Sequence, residues 1–273
     1  MAPSLKKGNY GQIAKRIREL SLKMVAASKS SHIGSSLSMA DLLAVLYEKI
    51  LRVKPTDPSW ENRDRFILSK GHACAAVYAA LAIKGFFPEQ WLNEYHQNNA
   101  KLGGHITSYG VPGVEVSSGS LGHGLPIACG MALAAKRDNK KYRVFVMLSD
   151  GELDEGSNWE AILFASHNHL DNLVAVVDYN KIQAMGWTNE TINLEPLVRK
   201  WEAFGWSTKE IDGHNFAKIE KSLNNLPFEA GKPNCLIADT IKGKGVSFME
   251  NKLYWHYQYP TKEQLAKALK ELR

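Results

Sequence analysis

The chain has 273 residues, 44% hydrophobic and 23% charged, enough to bury one large core and typical of a water-soluble globular domain. No stretch approaches the ~18 apolar residues of a membrane span, and residues 1–20 lack a signal peptide's apolar region, so a cytoplasmic protein is expected. The net charge of +6 raises nucleic acid as a partner, but seven Lys and Arg against Glu19 alone place the whole excess in residues 1–30. No basic stripe crosses the main body, which argues against nucleic acid.

Ile13, Ile17, Leu20 and Met24 recur at helical steps and predict a docked helix over residues 10–30, with its cations in solvent. In the following SSHIGSSLSMADLL, Ser38 reads as the N-cap of a helix from Met39, and the glycine-serine run before it as a loop presenting His32. Arg65 to Leu68 predicts a short strand, Ser69 to His72 a turn, and the alanine-rich stretch behind them a packed helix. His72 therefore stands at a strand-to-helix junction, beside a Lys70-Gly71 pair that helix capping does not explain.

From Pro88 to Ser118 the chain is polar and glycine-rich, too long for a mere connection, which points to a site. Gly119, Ser120 and Leu121 lead into a helix of small residues, Leu125 to Lys136.

Val144 to Leu148 and Leu173 to Val177 are short β-branched runs that predict buried strands, with a helix from Glu155 to His169 between them. Such a βαβ unit opens both strand ends on one edge of a parallel sheet, where ligands collect. Asp150 stands at one end and Asn180 at the other. Both offer hard oxygens of the kind magnesium takes, sparingly, alongside phosphate and water. Gly151 has no Cβ, so its N–H can approach an anion closely at a helix start. Asp-Gly alone is common in turns. Asp-Gly followed about thirty residues later by Asn, with a strand at each end, is specific.

GWSTKEIDGHN predicts a strand, a turn with a structural His214, and Asn215 as N-cap of a helix from Phe216 to Leu223. Cys235 to Thr240 predicts a strand, followed by a glycine-bearing loop, IKGKG, suited to an anion. From Thr261 the tail is an amphipathic helix or a linker. Cys74, Cys129 and Cys235 match no zinc or redox spacing and read as reduced core residues.

These segments resemble, in order from His32 to His256, the transketolase family. The Asp-Gly to Asn unit resembles its thiamine diphosphate motif, LSKGHA its histidine segment near the diphosphate, and the Gly119 to Leu121 segment the backbone that meets the aminopyrimidine. The resemblance implies an α/β fold over residues 1–273, a single diphosphate-binding domain with a parallel sheet, helices on both faces and a tail at 257–273. It implies that Asp150, Asn180 and the carbonyl of Ile182 hold Mg2+ or another divalent cation. Ser35, His72, Gly119, Ser120, Leu121, Gly151, Asn180, Lys242 and His256 would meet thiamine diphosphate. His32, His105 and His256 would be catalytic groups facing the sugar, with His123 a further substrate-side candidate. Ile106, His123, Ser149 and Tyr257 depart from the family's usual residues.

The implied activity is transfer of a two-carbon ketol unit from a ketose phosphate to an aldose phosphate, as in the pentose phosphate pathway, with the cofactor supplying the difficult chemistry. The family's activating glutamate lies in a pyrimidine-binding domain, and too little chain follows His256 to form one. A partner subunit is expected to bring it, in a heterotetramer with two copies of each chain. Glu155 and Glu160 match family glutamates at the subunit interface. Alternatives are another ketose-handling thiamine enzyme, such as a deoxyxylulose phosphate synthase or an unusual-sugar transketolase, and a noncatalytic cofactor-binding subunit.

Overall fold

The computed structural model describes residues 8–273, so Lys6 and Lys7 of the basic segment lie outside the described residues. Helix α1 (Tyr10–Ser28) starts where the Asn9 side chain accepts a hydrogen bond from Gln12 N–H at 3.1 Å, and it ends at Lys29 in the left-handed conformation. Ile13, Ile17, Leu20 and Met24 are all buried, as their spacing predicts.

Next come α2 (Ile33–Ser38) and α3 (Ala40–Val45), the latter running into one π turn, Leu46–Ile50. This corrects the sequence reading. The glycine-serine run is helical rather than a loop, and Ser38 closes α2 instead of capping its successor. The Ser38 hydroxyl lies 3.1 Å from Ser35 O and 2.6 Å from the Asp178 carboxylate, so it is committed elsewhere.

The chain continues through β1 (Arg65–Leu68), a 3-10 turn at Gly71–Ala73, α4 (Cys74–Lys84), a second 3-10 turn at Glu89–Glu94, and an irregular stretch to α5 (Gly124–Arg137). Then follow β2 (Val144–Ser149), α6 (Gly156–His167), β3 (Leu173–Tyr179), α7 (Thr188–Thr191), α8 (Leu197–Ala203), β4 (Ser207–Asp212), α9 (Phe216–Asn224), β5 (Asn234–Asp239) and α10 (Lys262–Glu271). Helix α6 is shorter than predicted because a 3-10 turn takes Gly151–Asp154 and Glu155 is extended. The tail resolves as a helix: Thr261 and Gln264 form a reciprocal cap, and Leu265, Leu269 and Leu272 pack on the core.

The five strands are parallel in the order β1-β2-β3-β5-β4. Side-chain alternation divides the core in two. Phe145, Met147, Val174, Val176, Leu236 and Ala238 meet α1, α3, α4 and α9 on one face. Val146, Leu148, Ala175, Val177, Cys235 and Ile237 meet α5, α6 and α8 on the other. Helices thus cover both faces, and β2 and β3 are buried at every position, which is why they read as unbroken apolar runs. Strand β4, at an edge, is fully buried only at Ser207. All three cysteines are free and buried, and burial pushes the Cys74 and Cys129 thiols up to about 12. Among the described residues, no helix is long and apolar enough to cross a membrane.

Candidate active site

Ser149 pairs with Asp178 in the β2–β3 register, so Asp150 and Asn180 leave adjacent central strands just beyond the last paired positions. Asp150 is buried, one carboxylate oxygen accepting from Gly151 N–H at 2.8 Å and the other from Lys181 N–H. Asn180 is also buried, with its Oδ1 3.3 Å from Ile182 N. Lys242, from the loop after β5, donates to Ile182 O at 2.6 Å and lies 3.0 Å from His256 Nδ1. A Cβ on Gly151 would fall 2.7 Å from Gln183 Cβ, so only glycine leaves this approach open.

Burial first, and then the Asp178 charge, push the Asp150 carboxyl up to about 6, while burial draws Lys242 down to about 8. A buried carboxylate in this condition, sharing one cavity with the Asn180 amide and with Ile182, whose carbonyl already meets the Lys242 cation, fits a divalent cation that shares its remaining ligands with a diphosphate. Among the described residues no group of three or more His, Cys, Asp or Glu could hold a metal, and the set here needs only one of them.

Four histidines close the other side. His32 opens α2 in the left-handed region, φ 69°, a conformation costly for any residue with a Cβ, and its N–H donates to His256 O at 2.9 Å. Its ring centroid lies 4.9 Å from His72, 5.2 Å from His256 and 5.9 Å from His105. Burial lowers His32 to about 4 and His256 to about 3, with Lys242 adding to both, and holds His72 well below the usual value. At neutral pH these imidazoles are uncharged, each with one donor and one acceptor nitrogen.

Every site residue read from the sequence except Ser120 and His123 lines a single cavity of about 230 Å³. Ser120 and His123 are exposed outside that lining, the His123 ring lying 3.3 Å from Ser120 O.

The histidines set a pH dependence. Their folded pKa values lie below the unfolded value near 6.5, so between pH 6.5 and about 4 the unfolded chain binds more protons and stability falls as pH falls. Asp150 and Glu152, raised by burial, act in the opposite sense over part of that window. The expected net loss from pH 7 to pH 4.5 is on the order of a few kcal/mol, read as a lowered urea midpoint; an unchanged midpoint would contradict the buried neutral cluster.

One supporting residue, Glu152, escaped the sequence reading, and the contacts of others explain their place. Glu152 is fully buried and accepts from Ser69 Oγ, Gly122 N–H at 2.9 Å and Ser149 N–H at 3.3 Å, tying together three of the loops around the cavity. The unusual Ser149 fits because its hydroxyl accepts from Glu152 N–H at 3.3 Å. Gly71 is required: a Cβ there would meet Ser118 O at 2.3 Å. His214, read as structural, accepts from Ile241 N–H on Nε2 at 2.9 Å. A backbone amide only donates, so the ring proton sits on Nδ1, 2.7 Å from Asp41, which also holds Arg18. His214 therefore anchors the residue before Lys242. Tyr257, exposed at the cavity mouth, has its ring 4.7 Å from His256.

A parallel sheet whose adjacent central strands bring a carboxylate and an amide into a histidine-lined cavity defines a cofactor-binding α/β enzyme domain. The family profile described as "Transketolase, thiamine diphosphate binding domain" matches residues 10–272, and the chain belongs to the transketolase family as this domain. It is 43% identical over 256 residues to a 6-deoxy-6-sulfo-D-fructose transketolase subunit of Clostridium sp. (strain MSTE9), covering 94% of this chain and 93% of the relative. It is 40% identical over 269 residues to an apulose-4-phosphate transketolase subunit of Actinobacillus succinogenes, covering 97% of each. Among solved structures, transketolase from Leishmania mexicana superposes with a TM-score of 0.91 at 29% identity, over 97% of this chain and 41% of that one. Transketolase from Campylobacter jejuni gives 0.91 at 32% identity, over 96% and 42%. The chain thus spans about two fifths of the solved transketolases it matches and nearly all of the relatives called subunits.

Proposed function

We propose that this chain is the cofactor-binding subunit of a two-subunit transketolase that moves a two-carbon ketol unit from a ketose to an aldose. Asp150, Asn180 and the Ile182 carbonyl hold magnesium or another divalent cation against the diphosphate. The observation that carries this reading is the convergence of these three oxygen donors with Lys242 at the ends of β2, β3 and β5. Bound thiamine diphosphate supplies the carbanion chemistry.

The chain's own residues bind and orient. Lys242, Ser35, His72 and Gly151 face the diphosphate, and the Gly119, Ser120 and Leu121 backbone faces the aminopyrimidine. His32, His105 and His256 hold sugar hydroxyls. As neutral imidazoles they offer each hydroxyl one donor and one acceptor nitrogen.

The substrate we favour is an uncommon ketose rather than one of the pentose phosphate pathway. Tyr257 stands at the mouth where the family usually has glycine, and the relatives matched nearly end to end are named for uncommon sugars. The partner brings the pyrimidine-binding domain and its activating glutamate, two copies of each chain assembling in the cytoplasm. Exposed Ile127, Leu163 and Phe164, on α5 and α6 near the exposed Glu155 and Glu160, support a covered face there.

Calorimetric titration of the chain with thiamine diphosphate tests the cofactor reading. Binding is expected in magnesium and lost in chelator; equal binding in both would refute the metal-bridged site.

A further inference from the structure

We propose that Asp178, held by Lys70, is a positioning residue that turns the Asn180 amide so that its oxygen, and not its nitrogen, faces the metal locus. This rests on the cofactor reading above and adds the element that makes Asn180 a ligand.

Asp178 sits at the penultimate position of β3 and Lys70 in the turn after β1, and both side chains are fully buried. They form a direct ion pair. The carboxylate also takes the Ser38 hydroxyl at 2.6 Å and the Thr240 hydroxyl, while the Lys70 ammonium reaches Ser35 O at 3.3 Å. Four separate segments therefore meet at one buried charge pair. Desolvating two ions is costly, and a well-packed apolar pair of similar volume is often at least as stable. Stability alone therefore gives weak reason for the pair, whereas its position directly beneath Asn180 gives a specific one.

Asn180 Nδ2 lies 3.3 Å from the Asp178 carboxylate and 3.4 Å from the Asp178 carbonyl. Both are acceptors only, so the amide must point its NH2 group at them. Its Oδ1 is turned to the opposite side, where it accepts from Ile182 N–H at 3.3 Å, and both residues line the cavity that Lys242 also lines. A neutral amide at position 178 would offer a donor as well. Only the backbone carbonyl of position 178 and the Ile182 N–H would then hold the amide, and its oxygen would be aimed less firmly at a cation. Lys70 supplies the countercharge without which the carboxylate would stand alone in the core. The pair thereby explains Lys70 of the LSKGHA segment.

The test compares Asp178→Asn with the native chain by calorimetry, reading the Mg2+ concentration that gives half-maximal thiamine diphosphate binding, well below the melting temperature. Should that variant fail to fold, the Lys70→Met, Asp178→Asn double variant removes both charges and carries the same test. The expected result is a folded variant whose magnesium half-saturation rises ten- to about a hundredfold, the range for lost support of a metal ligand. A purely structural role would lower the melting temperature and leave the half-saturation where it was. That outcome, beside a native chain that requires magnesium, overturns the inference alone. A native chain that binds no cofactor in magnesium overturns the cofactor reading and this inference together.

Discussion

Asp150→Ala is expected to weaken thiamine diphosphate binding by at least about a hundredfold, close to 3 kcal/mol, while Cys129→Ser leaves it unchanged. Asp150 is the one anionic donor in the set formed with Asn180 and the Ile182 carbonyl, so without it a divalent cation meets only neutral oxygens. The diphosphate then faces the site without its bridging charge. The same change affects folding in two opposed ways: burial already pushes this carboxyl up to about 6, an unfavourable charge that alanine removes, but alanine also takes the acceptor from the Gly151 and Lys181 N–H groups. Calorimetry for affinity and a thermal melt for stability separate the two effects. An alanine variant with native affinity would remove Asp150 from the metal set.

The second large effect concerns the partner. This chain without a partner is expected to show no ketol transfer, and addition of the purified partner is expected to raise turnover from background to full rate. The proposed activating glutamate is a proton-transfer group, and such groups contribute on the order of 10²–10⁴ in rate. In this reading the proposed partner would also cover the cavity, whose histidine side includes the exposed His105 and Tyr257. Excluding water strengthens every polar contact made there. Relatives matched over nearly their whole length are called subunits, and the solved transketolases are more than twice as long as this chain, which is the pattern of one enzyme divided between two chains. Ketol transfer measured with either chain by itself and with the mixture decides the matter. Full turnover by this chain alone would end the split-enzyme reading.

The βαβ unit was legible because period and spacing are local properties. Two apolar runs too short for helices, a helical pattern between them, and polar residues at both exits were enough to place Asp150 beside Asn180. The segment around Ser38 was not legible in this way. Serine before an apolar run is a good cap signal, but Asp178, 140 positions away, claims its hydroxyl. The same blindness hid Glu152, which accepts from Ser69 and Gly122 on loops far away in sequence. One signal was available: an aspartate ending the apolar run VAVVD must find a buried partner, and Lys70 was the cation left unexplained.

The loop that carries Lys242 is tethered at successive points before any ligand arrives. Thr240 N–H reaches Tyr179 O at 3.0 Å, Ile241 N–H reaches His214, Gly243 N–H reaches Gly34 O at 3.0 Å, and Lys242 O receives Asn251 N–H at 2.9 Å. Gly243 and Gly245, at φ +83° and +92°, would otherwise give this stretch unusual freedom. Fixing a free backbone costs about 1–2 kcal/mol per residue in entropy. Here that ordering is complete at folding, so an arriving anion meets an ammonium already aimed, and its binding energy is not spent on arranging the loop.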